Sequence, residues 1–246
     1  MTGLIYVVFG EQFDHMAAHT IAYSRKFTNL PITVLSNLQP GHRSPKWKEI
    51  EGIDFLVMDL PTEENREIKT TIINHTPYEN TLYLDADSII QNESFDSEVE
   101  KYFRGDFDLL INWFCQFPTQ DNRFQNIYLR AYNQFGCSGT MNVYNGAIIG
   151  FKKTDKAKEL FTKWNEYWKD FGKQREMPPF ASAILTTEGL MVNEFVQGFF
   201  SPDVYLDTAV VQHNSNDDNF FGKIRIPFME TPVTSHRVDD YSFTQL

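Results

Sequence analysis

Residues 81–90 read TLYLDADSII. The apolar run Leu82-Tyr83-Leu84 ends in two acids, Asp85 and Asp87, and apolar sequence resumes at Ile89-Ile90. A short apolar run bounded in this way reads as a buried strand. Successive side chains alternate along a strand, so Asp85 and Asp87 are expected on the same side. Two carboxylates that close repel one another unless a shared proton or a cation neutralises them. The acids at this strand end therefore need a partner.

Working outward, Leu4–Phe9 is short, apolar and stopped by Gly10, and reads as the first strand. Ala17, Ala18, Ile21, Ala22 and Arg25 then fall at helical spacing. Ile32–Leu35, introduced by Pro31, and Phe55–Met58 are further strands, with the polar loop SNLQPGHRSPKWKE between them. From Glu63 to about His75 the pattern predicts a helix with Ile68, Ile72 and Ile73 on one face. This alternation of strands and helices implies right-handed crossovers and a mostly parallel central sheet flanked by helices, an α/β fold. Ligands of such sheets bind outside the carboxyl ends of the strands. Phe9-Gly10 and Asp85-Ala86-Asp87 both sit at such ends.

Further along, 108–112 and 145–151 read as strands. Thr154 starts a helix whose stripe of Ala157, Leu160, Phe161, Trp164, Trp168 and Phe171 is core packing, and Gly172 ends it. Val204–Leu206 and Ala209–Val211 are expected as late strands, the second leading into Gln212-His213. No internal repeat or linker divides the chain. The expectation is one domain over 1–246, in two halves at about 1–112 and 113–234, with a polar tail at 235–246.

The chain has 246 residues and a formal net charge of −11, which argues against nonspecific binding to a polyanion. Cys115 and Cys137 cannot form a disulfide framework and have no zinc spacing, so a reducing, cytoplasmic compartment is expected. The start, MTGLIYVVFGEQF, lacks the basic leader and long apolar run of a signal peptide. No stretch approaches the ~18 apolar residues of a membrane span.

A divalent cation would neutralise both acids, and their hard oxygen donors suit magnesium or manganese. Such an ion keeps positions open for phosphate oxygens and stabilises the charge that develops on a diphosphate leaving group. Other readings stay open. An EF-hand loop also alternates acids, but it needs a central glycine and a terminal glutamate where Ile89-Ile90 stand. A haloacid-dehalogenase-like phosphatase also uses two aspartates after an apolar strand, but near the start of its fold; here three strands come first and Asp217-Asp218 lie in a polar loop. Solvated acids in a turn are the plainest alternative.

The segment NREIKTTIINHTPYENTLYLDADSII, 65–90, resembles the donor-binding core of GT-A glycosyltransferases, in particular the glycogenin-like family of retaining enzymes. Its helix, lysine, turn and strand ending in D-x-D follow in the family's order. The resemblance implies a GT-A type nucleotide-diphospho-sugar transferase fold, with about 1–112 as the nucleotide-binding half and about 113–234 as the acceptor-side half. It matches Lys69 to the family lysine, Asp85 and Asp87 to the metal ligands, and Ala86 to a donor contact. VYNGAIIGFKKT, 143–154, is similar to the N-S-G strand and its helix, which makes Asn145 a candidate to bond the donor sugar and to act in catalysis. REMPPFASAI, 175–184, resembles the D-Q-P region, with Glu176 for the aspartate and Met177 for the glutamine. Glu176 is thus a candidate catalytic carboxylate; Asp121 is the other candidate should a general base be needed. VVQHNSNDDNFFGKI, 210–224, resembles the closing motif without its K-P-W ending: His213 would be the third metal ligand, and Gly222 and Lys223 would grip the diphosphate. Phe9 or Phe13 would stack on the base, and Arg25 and Arg66 would pair with acids or meet phosphate.

The implied activity is metal-dependent transfer of a sugar from a nucleotide-diphosphate donor, expected to be a UDP-sugar, to an acceptor hydroxyl with retention. Manganese or magnesium is the expected cofactor. The acceptor is left open among a glycan, a lipid-linked glycan, a protein and a modified DNA base. A catalytically silent nucleotide- or glycan-binding module on the same fold is the remaining alternative.

Overall fold

The computed structural model describes residues 1–116, 122–196, 198–201 and 209–213. Its first half alternates strand and helix: β1 (Thr2–Val8), α1 (Glu11–Ser24), β2 (Ile32–Ser36), β3 (Ile53–Val57), α2 (Asn65–Thr70), β4 (Asn80–Leu84) and β5 (Ser88–Ile90). Then follow α3 (Phe95–Arg104), β6 (Leu109–Gln116), α4 (Asn122–Gln134), β7 (Asn142–Lys152), α5 (Asp155–Asp170), α6 (Met177–Thr186), β8 (Val192–Glu194), β9 (Phe200–Ser201) and β10 (Val211–His213).

Among the described residues, seven strands form the central sheet in the order β3-β2-β1-β4-β7-β6-β8. Pairing is parallel from β3 through β4 and between β6 and β8, while β7 runs antiparallel to both neighbours. The sheet is therefore mostly parallel, as the strand-helix alternation predicts. From β1 the chain moves outward to β2 and β3, then returns to lay β4 on the other side of β1. That reversal leaves a crevice at the carboxyl ends of β1 and β4, where sheets of this kind hold ligands.

Each face of the sheet is covered. Leu4, Tyr6 and Val8 of β1 pack with Ala17, Ala18 and Ile21 of α1. Ile5 and Phe9 point the opposite way, toward Ile68, Ile72 and Ile73 and the α5 stripe of Leu160, Phe161, Trp164 and Trp168. Burying a large apolar side chain is worth about 1.5–3 kcal/mol, so these two layers are the main stabilising contribution. Helix α5 begins as its sequence indicates: the Thr154 hydroxyl oxygen accepts from the Ala157 N–H at 3.1 Å, and Gly172 takes φ +84° just past the end.

The helix expected over 63–75 is broken. A short 3-10 turn covers Thr62–Glu64, α2 covers only Asn65–Thr70, and a second 3-10 turn covers Ile72–Asn74. The β-branched run Thr70-Thr71-Ile72-Ile73 crowds the preceding turn and lowers helix propensity, and Thr71 caps α2 outside helical geometry. The last strand lies two residues later than expected, at Val211–His213, because Ala209 and Val210 give their carbonyls to Gln91. Beside it, β10 pairs antiparallel with β5 and parallel with β9. The strand expected over Val204–Leu206 lies outside the described residues. Among the described residues no helix is long and apolar enough to cross a membrane.

Candidate active site

The crevice between β1 and β4 is lined by Val7, Phe13, Met16, Asn65, Arg66, Lys69, Tyr83, Asp85, Ala86, Asp87 and Glu176. Asp85 extends β4: its N–H donates to the Ala147 carbonyl at 2.9 Å, one step past the β4–β7 ladder. The chain then turns, and the Ser88 N–H closes back on the Asp85 carbonyl at 2.9 Å. Asp85 and Asp87 thus both line the crevice from a tight turn between β4 and β5, and not from one continuous strand. Helix α1 holds this turn from behind. Thr20 and Ser24, both fully buried, give their hydroxyls to the backbone: Thr20 donates to the Ala86 carbonyl at 2.8 Å, and Ser24 accepts from the Ile90 N–H at 2.9 Å.

Helix α2 supplies the cations. Lys69 is buried and donates from Nζ to Asp85 Oδ1 at 3.0 Å, while Glu176 Oε1 stands 3.7 Å from the same ammonium. Burial works against the charge, but Asp85 and Glu176 overcome it and hold the Lys69 pKa above the ordinary lysine value. The Tyr83 hydroxyl also donates to Asp85 Oδ1. Burial, reinforced by that carboxylate, pushes the Tyr83 pKa well above its usual value, so the phenol keeps its proton. Tyr83 and Asp85 are two residues apart and share a side of the strand, which is how the phenol reaches the acid. Arg66 stands 3.7 Å from Glu176 Oε2 and donates to the Gln174 carbonyl.

Glu176 is the residue before α6, and its carbonyl accepts from Trp164 Nε1 at 2.8 Å, so the α5 core positions it. A Cβ on Gly146 would fall 2.3 Å from Met177 Sδ, so a larger residue there would have to displace the Met177 side chain. Asn145 lies where β7 leaves its register with β6, and its side-chain oxygen accepts from the Ala147 N–H at 2.8 Å. It shapes the strand next to Asp85 and does not line the crevice.

Phe9 does not reach the crevice. It is 1% exposed, on the α2 and α5 side of the sheet, whereas Phe13 in the first turn of α1 is 39% exposed and lines the opening. Arg25 is also elsewhere: its guanidinium donates to the Leu30 and Gly52 carbonyls, both at 2.6 Å, at the amino ends of β2 and β3. Asn65, Val7 and Met16 were not marked by the sequence. Asn65 stands four residues before Lys69, spacing that puts both on one helical face. The backbone of His213 lies in β10 opposite Ser88, one residue from Asp87. The side chain of His213, and Asp121, Gly222 and Lys223, lie outside the described residues. Among the described residues no group of three or more His, Cys, Asp or Glu is arranged to hold a metal ion.

No protein-family model matches this chain, and no curated protein matches it in sequence. Solved structures do resemble it. The crystal structure of the galactosyltransferase LgtC in complex with donor and acceptor sugar analogs matches with a TM-score of 0.65 at 11% identity, over 92% of this chain and 94% of that one. Mouse xyloside xylosyltransferase 1, in its apo form, matches at 0.59 and 8% identity, over 87% of this chain and 98% of that one. The glycosyltransferase GlyE of Streptococcus pneumoniae matches at 0.55 and 12% identity, over 88% of this chain and 56% of that one. Identity this low speaks for architecture alone: this chain has the GT-A type α/β fold.

Proposed function

We propose that this protein transfers a sugar from a nucleoside-diphosphate donor to an acceptor hydroxyl, using manganese or magnesium at Asp85 and Asp87. The observation that carries this reading is the convergence of both acids with Lys69, Arg66 and Glu176 on one crevice at the β1–β4 reversal. Galactosyl- and xylosyltransferases sharing this fold support it.

The donor set fits a hard divalent cation. Two carboxylates separated by one residue offer oxygen ligands and leave coordination positions for diphosphate and water, as magnesium prefers. His213, opposite Ser88 in the β5–β10 register, is our candidate for a third ligand. When bound, the ion would supply Lewis-acid stabilisation of the diphosphate charge as the sugar departs. The chain's own groups do the rest in this reading. Lys69 and Arg66 offset phosphate charge, and Gly222 and Lys223 are assigned to the same task. Phe13, Val7 and Met16 offer an apolar wall for the base. Asn145, whose oxygen is committed to Ala147, has its amide N–H groups to offer a sugar hydroxyl. Glu176 is our candidate for the carboxylate nearest the reacting sugar. Retention of configuration follows from the glycogenin-like resemblance, and product NMR would decide it.

The test is a thermal-shift panel of UDP-, GDP-, CDP- and dTDP-sugars with and without manganese. A ligand at about 100 times its dissociation constant adds about 2.7 kcal/mol to stability, a clear upward shift. We expect a metal-dependent shift with the UDP-sugar, loss of that shift in Asp87→Ala, and sugar transfer to an added acceptor. Flat melting curves across the panel would end this reading, and binding without turnover would leave a silent module in its place.

A further inference from the structure

Lys69 is the most enclosed charge in the crevice: its side chain is 9% exposed, against 28% for Asp85 and 19% for Glu176. It has two carboxylates within reach of one ammonium. Asp85 Oδ1 is at 3.0 Å, a hydrogen bond, and Glu176 Oε1 at 3.7 Å is an ion pair just beyond that range. Glu176 is already arranged as an alternative seat. Its second oxygen faces Arg66, its backbone is held by Trp164, and its first oxygen is turned toward Lys69. Asp85, for its part, keeps the Tyr83 hydroxyl on the same oxygen that Lys69 occupies, so departure of the lysine leaves that oxygen a donor.

A lysine ammonium is a compact charge on a flexible stem, and a small rotation of its end exchanges the near partner for the far one. A divalent cation on the acid turn and an ammonium on Asp85 are like charges at close range in a partly enclosed site, where repulsion is weakly screened. We infer that Lys69 is an internal counter-ion with two seats, on Asp85 before a divalent cation loads and on Glu176 afterwards. Glu176 is then a positioning residue for metal loading. This rests on the metal reading above and goes beyond it by coupling the occupancy of the acid turn to the place of one lysine.

The experiment measures Mn²⁺ affinity of the full chain, with and without UDP, from the electron paramagnetic resonance signal of free Mn²⁺. Glu176→Gln keeps the shape of the second seat and removes its charge; it should weaken Mn²⁺ binding about tenfold, because the ammonium stays on Asp85. Lys69→Met should tighten binding by a similar factor, and Glu176→Gln should have no further effect in that background. Lys69→Gln, which keeps a donor for Asp85 without the charge, serves if Lys69→Met does not fold. In a crystal holding Mn²⁺, Lys69 Nζ should lie within hydrogen-bonding distance of Glu176 and away from Asp85. Unchanged or weaker Mn²⁺ binding by the uncharged Lys69 variants without UDP would overturn the two-seat proposal while leaving the metal reading intact. So would a Glu176→Gln loss that persists without the lysine, since Glu176 would then ligate directly. A wild-type chain that binds no Mn²⁺ with or without UDP would remove both.

Discussion

Phe9 and Phe13 stand four residues apart, and their fates differ because Phe9 follows directly on β1 while Phe13 lies in the first turn of α1. Phe9 continues the strand's alternation and enters the layer under α2, while Phe13 belongs to α1 and faces the crevice. Truncating Phe9 to alanine should cost about 3–5 kcal/mol, read as a lowered denaturant midpoint with the slope unchanged. The same truncation of Phe13 should leave that midpoint nearly in place. In the proposed function it should weaken nucleotide binding by roughly tenfold or more, since one base-stacking contact is worth about 1–3 kcal/mol. A stable Phe9→Ala protein, or a Phe13→Ala protein with undiminished UDP affinity, would show the two roles misassigned. The aromatic residue at the strand end could be picked out from its neighbours, but which aromatic faced a ligand could not. One residue of difference in where β1 stops changes the face.

At the scale of elements, two helices determine how the acids are held. Helix α1 buries Thr20 to bind the Ala86 carbonyl, so Thr20→Val leaves a buried carbonyl without that partner. The cost should be about 1–3 kcal/mol in stability, with weaker Mn²⁺ binding because the turn between the acids is released. A full-affinity Thr20→Val protein would deny that link. Helix α2, which carries Lys69, is tied to α5 by Glu67, 2.9 Å from Lys169 and 3.3 Å from Lys173. A hydrogen bond from Glu64 is the largest influence lowering the Glu67 carboxyl to about 2, but it needs Glu64 protonated and raises Glu64 in turn. Burial opposes the shift, and at neutral pH the two lysines are what hold Glu67 ionised. A depressed carboxylate stabilises the fold above its unfolded pKa of about 4.3 and loses that contribution as pH falls toward about 2. The site is partly exposed, so the contribution should be near 1 kcal/mol. Glu67→Gln should therefore be less stable than wild type at pH 7, and the gap should close between about pH 4.5 and pH 2. A gap that persists at the acid end would assign it to packing. Helix α5 could be read from its apolar stripe, whereas the sequence reading marked no helix at α6, whose first turn carries Pro178 and Pro179 where a helix accepts proline.

For the whole molecule the controlling quantity is a net charge of −11. In the proposed function that charge would draw a divalent cation in and would resist a nucleotide diphosphate until the cation is bound. Without metal, UDP affinity should rise as salt increases from about 50 to about 300 mM, because screening weakens the repulsion. A basic phosphate-binding groove would behave in the opposite way, and isothermal titration at several salt concentrations separates the two.

By itself the sequence determined the alternating strands and helices, the packing stripe of α5 and the position of two acids at the end of β4. Each is a local pattern of apolar and charged side chains, and burial enforces such patterns wherever the partner lies. Only the tertiary structure decided that the acids reach the crevice from a turn held by Thr20, and that Glu176, 91 residues from Asp85 in sequence, shares Lys69 with it. It also decided that Asn145 spends its oxygen on the backbone. These depend on distances between elements remote in the chain, which are set when β4 returns beside β1 and α6 packs over α5, and no local spacing encodes them.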